Sequence, residues 1–180
     1  MMPKAHAIAA PIRLLACLLL SVLAACGNAP PVKDADAAVT FVIVRHAEKS
    51  SDDPRDPSLS EIGKARAQGL ARLLADTPLS AAYATGFRRT QQTAQPTADA
   101  HDVKIEIYDA KLPATALASQ LRKAHAHGTV LVVGHSNTVP EIVATLSGTV
   151  VPAMADDEFD RLYRIDLTAN GETTLLQERY

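Results

Sequence analysis

The sequence contains no tryptophan, 4% aromatic residues and two cysteines in 180 positions. Missing tryptophan excludes nothing by itself; missing thiols do. Both cysteines, Cys17 and Cys26, fall within the first 26 residues, so the chain beyond them offers no disulfide, zinc-thiolate site or cysteine nucleophile. Positive charge is not in excess either. Eighteen Lys and Arg stand against twenty Asp and Glu, a formal charge of -2, which leaves nothing to neutralise a nucleic-acid backbone. No nucleic-acid partner is expected. The apolar stretch Leu14 to Ala25, broken only by Ser21, holds about a dozen residues where a membrane-spanning helix needs roughly 20. The whole chain is 47% hydrophobic and 21% charged, ordinary for one soluble domain and too short for two of full size.

The apolar stretch follows Lys4 and Arg13, the layout of a secretory signal. Its end, Leu23-Ala24-Ala25-Cys26-Gly27, resembles the lipobox of bacterial lipoproteins, in which the cysteine is lipidated and becomes the first mature residue. The resemblance implies a signal peptide over residues 1–25 and a lipid on Cys26. Each buried methylene of such a lipid contributes about 0.8 kcal/mol to anchoring. Residues 26–38 are small, polar and Pro-containing, as a tether requires, and the domain is expected over 39–180. The implied location is the bacterial cell envelope, facing the periplasm. Gly27 in place of Asp after the cysteine favours the outer membrane over the inner.

From residue 39 onward, strand and helix patterns alternate. Val39–Val44 and Thr129–Val133 are continuous apolar runs, as in strands buried on both faces, with shorter strands expected at Ala81–Ala84 and Lys104–Tyr108. Ser60 opens a helix ending near Asp76, with Ile62, Ala65, Gly69, Leu70, Leu73 and Leu74 on its apolar face. Further helices are expected at Arg88–Ala100, Thr115–Ala126 and about Val139–Leu146. Leu162–Leu167 and Thr173–Glu178 read as a hairpin around Asn170-Gly171. This order predicts an α/β three-layer sandwich, a largely parallel sheet flanked by helices on both faces.

In such sheets ligands gather at the carboxyl ends of the strands. There the chain places Arg45-His46-Ala47-Glu48-Lys49 after one apolar strand and Gly134-His135-Ser136-Asn137-Thr138 after the other. Arg88 and Arg89 open a helix, where the dipole disfavours cations, and a bound anion would relieve that conflict. Two imidazoles and two or more guanidiniums beside helix amino ends suit a tetrahedral dianion, and imidazole is a competent nucleophile toward phosphorus.

Arg45-His46, then Arg89-x-x-Gln92-Thr93-Ala94, then Gly134-His135-Ser136-Asn137-Thr138 resemble the histidine phosphatase superfamily, of phosphoglycerate mutase-like fold, and its small bacterial members with an R-H-A-E-K start. By this resemblance His46 accepts the phosphoryl group, Arg45 and Arg89 clamp its oxygens, and His135 stabilises its charge. Arg88 does not match the family position and is expected at the rim or on the surface. Ala47 departs from a glycine found in many members. The resemblance implies no cofactor and no metal.

Protonating the leaving oxygen calls for a nearby acid. Asp109 and Glu48 are both candidates, and neither is required if the substrate is a reactive phosphoramidate. The expected function is a metal-independent phosphatase hydrolysing phosphomonoesters of small molecules or proteins through a phosphohistidine intermediate. The alternatives are a non-catalytic phosphate- or anion-binding module of the same fold and a phosphomutase; the short connection between the strands at 104–108 and 129–133 speaks against a mutase lid.

The remaining polar residues carry structural expectations. Asn137 and Thr138 read as loop and capping residues. His125 and His127 read as a solvated helix end, His101 as a loop residue, and Asp156-Asp157-Glu158 with Asp160 as an acidic surface loop.

Overall fold

The computed structural model describes residues 37–180; the expected signal peptide, Cys26 and the expected tether up to residue 36 lie outside the described residues. The elements follow in the order β1 (Ala37–Arg45), α1 (Glu61–Leu73), β2 (Leu79–Thr85), α2 (Arg88–Ala100), β3 (Ile105–Tyr108), α3 (Ala114–Ala124), β4 (Gly128–Gly134), α4 (Val139–Ser147), β5 (Arg161–Thr168) and β6 (Thr173–Arg179).

All six strands form one sheet in the order β3-β2-β4-β1-β5-β6. β3, β2, β4 and β1 run parallel, while β5 pairs antiparallel with β1 and β6 with β5. β1 is central because its alternate side chains have apolar surroundings on either side. Phe41 and Ile43 pack into the layer of α3 and α4, Val42 and Val44 into that of α1 and α2, and all four are fully buried. The β5–β6 hairpin turns at Gly171, whose φ of +88° is a left-handed conformation that favours glycine.

Helix α1 departs from the expected face. Ser60 caps it, accepting from the Gly63 amide at 3.1 Å. Its buried stripe, however, is Gly63, Ala67, Leu70, Ala71 and Leu74, whereas Ile62 is 67% exposed and Leu73 47%. Small residues decide the rotation. A Cβ at Gly63 would lie 2.1 Å from the Glu48 carbonyl oxygen, so glycine lets the start of α1 sit directly on the turn after β1. Hydrophobicity alone gives no weight to a glycine as a contact face.

Register then carries the chemistry to one edge. Val44 pairs with Val133 and Arg45 with Gly134, so the residues after β1 and β4 emerge side by side. The His46 amide donates to the Gly134 carbonyl at 2.9 Å and seals the junction. Thr85 ends β2 beside Tyr108, the end of β3.

Candidate active site

Segments nearly ninety positions apart in sequence meet at this edge. The His46 and His135 rings lie 5.4 Å apart, centroid to centroid, at 68°. Both residues line an open cleft of about 380 Å³ together with Arg45, Arg89, Lys49 and Asp156.

The turn carrying His46 is fixed by its backbone. The Ala47 amide donates to Thr93 Oγ1 at 2.9 Å, and that hydroxyl donates to the Arg89 carbonyl at 2.7 Å, joining the turn to α2. The Ala47 methyl is buried with Leu59 and Ala67, which accounts for an alanine here. His46 Nδ1 lies 2.8 Å from the Ala47 carbonyl oxygen; a carbonyl only accepts, so Nδ1 carries the proton and Nε2 keeps its lone pair. Burial pushes the His46 pKa down to about 3; the Ala47 hydrogen bond opposes it, and the neighbouring His135, Arg89 and Arg45 add to the lowering. The ring is therefore neutral, as attack on phosphorus requires.

His135 is set by Thr138, whose Oγ1 accepts the His135 amide at 3.0 Å, and by Thr85, whose Oγ1 lies 3.1 Å from Nε2. Burial, followed by the charges of Arg89 and Arg45, lowers its pKa to about 4. Thr138 stands at the N-cap of α4 but makes no side-chain cap hydrogen bond there; its hydroxyl serves the His135 turn instead, and it and Asn137 border the cleft.

Arg45 is buried, and three of its five donors are engaged by main-chain carbonyls. Nη1 donates to Ala155 O and Glu158 O, both at 2.8 Å, and Nη2 to Asp156 O at 3.0 Å. Its Nε is buried and has no partner among the described residues. The guanidinium also lies 4.0 Å from the centre of the Phe159 ring. Burial lowers its pKa, while Asp156 and Glu158 oppose the shift; it remains a cation.

The segment read as an acidic surface loop is therefore a wall of the site. Glu158 is gripped by Arg161 and Arg179, and its main chain, with those of Ala155 and Asp156, holds Arg45. Charge density along the chain does not reveal that the carbonyls, rather than the carboxylates, make this contact.

Arg89 reaches the cleft from the first turn of α2, its guanidinium 4.3 Å above the Phe87 ring. The unfavourable start of α2 is relieved by the protein itself. Asp56 accepts the Arg88 amide at 3.0 Å and sits 3.7 Å from Arg89 Nη1, a carboxylate in the place where a bound anion was expected to do this. The Arg88 side chain is exposed, does not line the cleft and contacts Asp52 and the Asp56 carbonyl.

The two candidate acids are not brought into the cleft. Glu48 is held by Arg66 through Nε at 2.9 and 3.0 Å and Nη2 at 2.6 Å. Burial alone would raise its pKa, but the hydrogen bonds and charge of Arg66 outweigh burial and keep the carboxylate ionised. Asp109 is exposed and accepts the Lys111 amide at 2.9 Å; its neighbour Ala110, not Asp109, borders the cleft. The carboxylate on the lining is Asp156. Among the described residues, no three His, Cys, Asp or Glu side chains are placed to share a metal ion.

Outside the site, two histidines are better anchored than expected. His125, at the end of α3, is half-buried with Nε2 2.9 Å from the Tyr83 hydroxyl, and His101 Nε2 lies 3.0 Å from the Leu74 carbonyl, tying α2 to α1.

This six-stranded sheet flanked by four helices matches the fold of solved structures. The fold is phosphoglycerate mutase-like. The protein histidine phosphatase SixA, solved with tungstate, is 21% identical with a TM-score of 0.63, over 78% of this chain and 96% of that one. A putative α-ribazole-5′-P phosphatase from Escherichia coli is 16% identical with a TM-score of 0.63, over 79% and 97%. A mycobacterial glucosyl-3-phosphoglycerate phosphatase is 12% identical with a TM-score of 0.59, over 78% and 97%. Residues 41–112 match the family model of the histidine phosphatase superfamily (branch 1), and no curated protein matches. The matched span includes Arg45, His46 and Arg89; His135 lies outside it and is brought in by the pairing of β1 with β4.

Proposed function

We propose that this chain is a histidine phosphatase that hydrolyses phosphomonoesters through a phosphohistidine intermediate on His46. The observation that carries this reading is the Nδ1–H bond to the Ala47 carbonyl, which leaves Nε2 as a neutral nucleophile facing His135 between two guanidiniums. His46 Nε2 forms a bond to phosphorus as the bond to the leaving oxygen breaks, and that oxygen takes up a proton. Water then attacks the phosphohistidine, frees Nε2 and releases inorganic phosphate. Arg45 and Arg89 hold the phosphoryl oxygens throughout, and His135 stabilises the charge that develops on them. The short Asp109–Pro113 link between β3 and α3 supports hydrolysis over a mutase lid.

A phosphoramidate substrate is favoured by a separate observation: neither Glu48 nor Asp109 lines the cleft. A nitrogen leaving group protonated by solvent needs no acid there. The deciding experiment is turnover of an aryl phosphate and of a phosphoramidate by the full chain, with and without chelator. Both reactions proceed without added metal, and kcat/KM does not fall between pH 6.5 and pH 5, because the His46 imidazole is neutral down to about pH 3. Dependence on metal, or an acid limb at the ordinary histidine pKa, would contradict the reading.

The same proposal places the enzyme in the bacterial envelope, lipid-anchored through Cys26 and facing the periplasm, on the strength of the Leu23–Gly27 motif. Cys26→Ser then moves the protein from the membrane fraction to the soluble one; an unchanged distribution would remove the anchor.

A further inference from the structure

Thr85, the last residue of β2, and Thr90, in the first turn of α2, are both fully buried. Their hydroxyls form a chain whose proton positions follow from counting. Thr90 Oγ1 lies 2.8 Å from the Phe87 carbonyl and 3.1 Å from the Thr85 carbonyl, and its single proton goes to one of them. Toward Thr85 Oγ1, 2.8 Å away, it must therefore accept. The Thr85 proton is used in that bond, so Thr85 Oγ1 accepts in turn from His135 Nε2 at 3.1 Å. Neutral imidazole has one N–H. His135 is thus the Nε2–H form, and its Nδ1, without a protein partner among the described residues, bears a lone pair.

His46 has the opposite tautomer, with Nδ1–H on the Ala47 carbonyl. Both rings consequently present lone pairs rather than protons to the cleft. A tetrahedral oxyanion entering between Arg45 and Arg89 would meet repulsion from both, unless one ring gains a proton.

We propose that Thr85 and Thr90 are positioning residues that hold His135 as the Nε2–H tautomer, so that a tetrahedral dianion enters the cleft together with one proton from solvent, taken up on His135 Nδ1. The anion-binding half rests on the functional reading above; the tautomer does not. The groups facing His135 are the cations Arg45 and Arg89, the ring of His46 and the edge-on ring of Phe87, with Lys49 and Asp156 on the same lining. In the free protein burial and the two guanidiniums keep His135 neutral. A doubly charged ligand adds negative charge at the same place and reverses the sign of the local field. His46 Nε2 must keep its lone pair for attack on phosphorus, which leaves His135 Nδ1 to take the proton.

Long-range proton–nitrogen NMR of the full chain labelled with ¹⁵N-histidine tests this, combined with calorimetric titration of tungstate at pH 7 in two buffers of different ionisation enthalpy. Without tungstate, His135 shows a protonated Nε2 and a bare Nδ1. With tungstate both nitrogens are protonated and about one proton is taken up per anion. Thr85→Val lets the Nδ1–H form appear and lowers the proton uptake per tungstate well below one, and Thr85→Ser restores both the tautomer and the uptake. An Nδ1–H tautomer in the free wild type, or an unchanged tautomer in Thr85→Val, would overturn the proposal even in a fully active phosphatase. Failure of tungstate to bind would overturn the functional reading and the coupled proton uptake, while the nitrogen shifts still judge the threonines.

Discussion

In the His46→Ala variant, turnover of an aryl phosphate falls on the order of 10⁵-fold, with much of the affinity for tungstate retained. The two readouts separate because the site divides its work. Anion attraction comes from Arg45, whose position is set by the carbonyls of Ala155, Asp156 and Glu158, and from Arg89, held over Phe87 beside Asp56. Neither depends on the His46 ring. Bond formation to phosphorus depends on it entirely, since no cysteine exists beyond Cys26 to replace it and His135 is held by Thr85. Steady-state kinetics with parallel tungstate titration checks this. A loss of binding equal to the loss of rate would assign His46 to binding rather than to attack.

Gly63→Ala is the second large effect, and its sign opposes helix propensity. In an exposed helix interior, alanine for glycine stabilises by about 1 kcal/mol. Here the added methyl would lie 2.1 Å from the Glu48 oxygen and 3.0 Å from the Glu48 carbon and nitrogen, main-chain atoms that no rotamer change can move. Overpacking of this kind costs typically about 1–3 kcal/mol, and more where backbone must shift. Relief means either lifting α1 from the sheet or displacing the turn from His46 to Glu48, which holds the acceptor for His46 Nδ1. A displacement of about 1 Å in a reacting group costs about 10²-fold in rate. The variant should therefore melt lower and turn over on the order of 100-fold slower. Denaturant midpoints and kcat report both effects; a variant as stable and as fast as wild type would show that the approach of α1 to this turn has room to spare.

The apolar runs at Val39–Val44 and Thr129–Val133 made the sheet legible, because strands covered on both faces have no polar positions to blur the pattern. The meeting of His46 and His135 was legible for the same reason: parallel neighbours end on one edge, and the register delivers both. What stayed hidden was carried by main-chain atoms and small residues. Gly63 contributes an absence of side chain, and the wall at Ala155–Glu158 acts through carbonyls that any sequence would supply. The candidate acids illustrate the same limit. Glu48 stands two residues from His46, yet an alternating turn and the partner Arg66, eighteen positions on, carry its carboxylate away from the cleft. Thr85 and Thr90 gave no signal beyond being β-branched residues near an element boundary, and only the distances between hydroxyls assign their protons.

The most direct test of the account is to quench the full chain during turnover of an aryl phosphate and map the phosphorylated peptide under alkaline conditions, which preserve phosphohistidine. The account predicts acid-labile phosphate on His46, absent from His46→Ala. Turnover with phosphate on another residue, or with none trapped at any quench time while product accumulates, would contradict it.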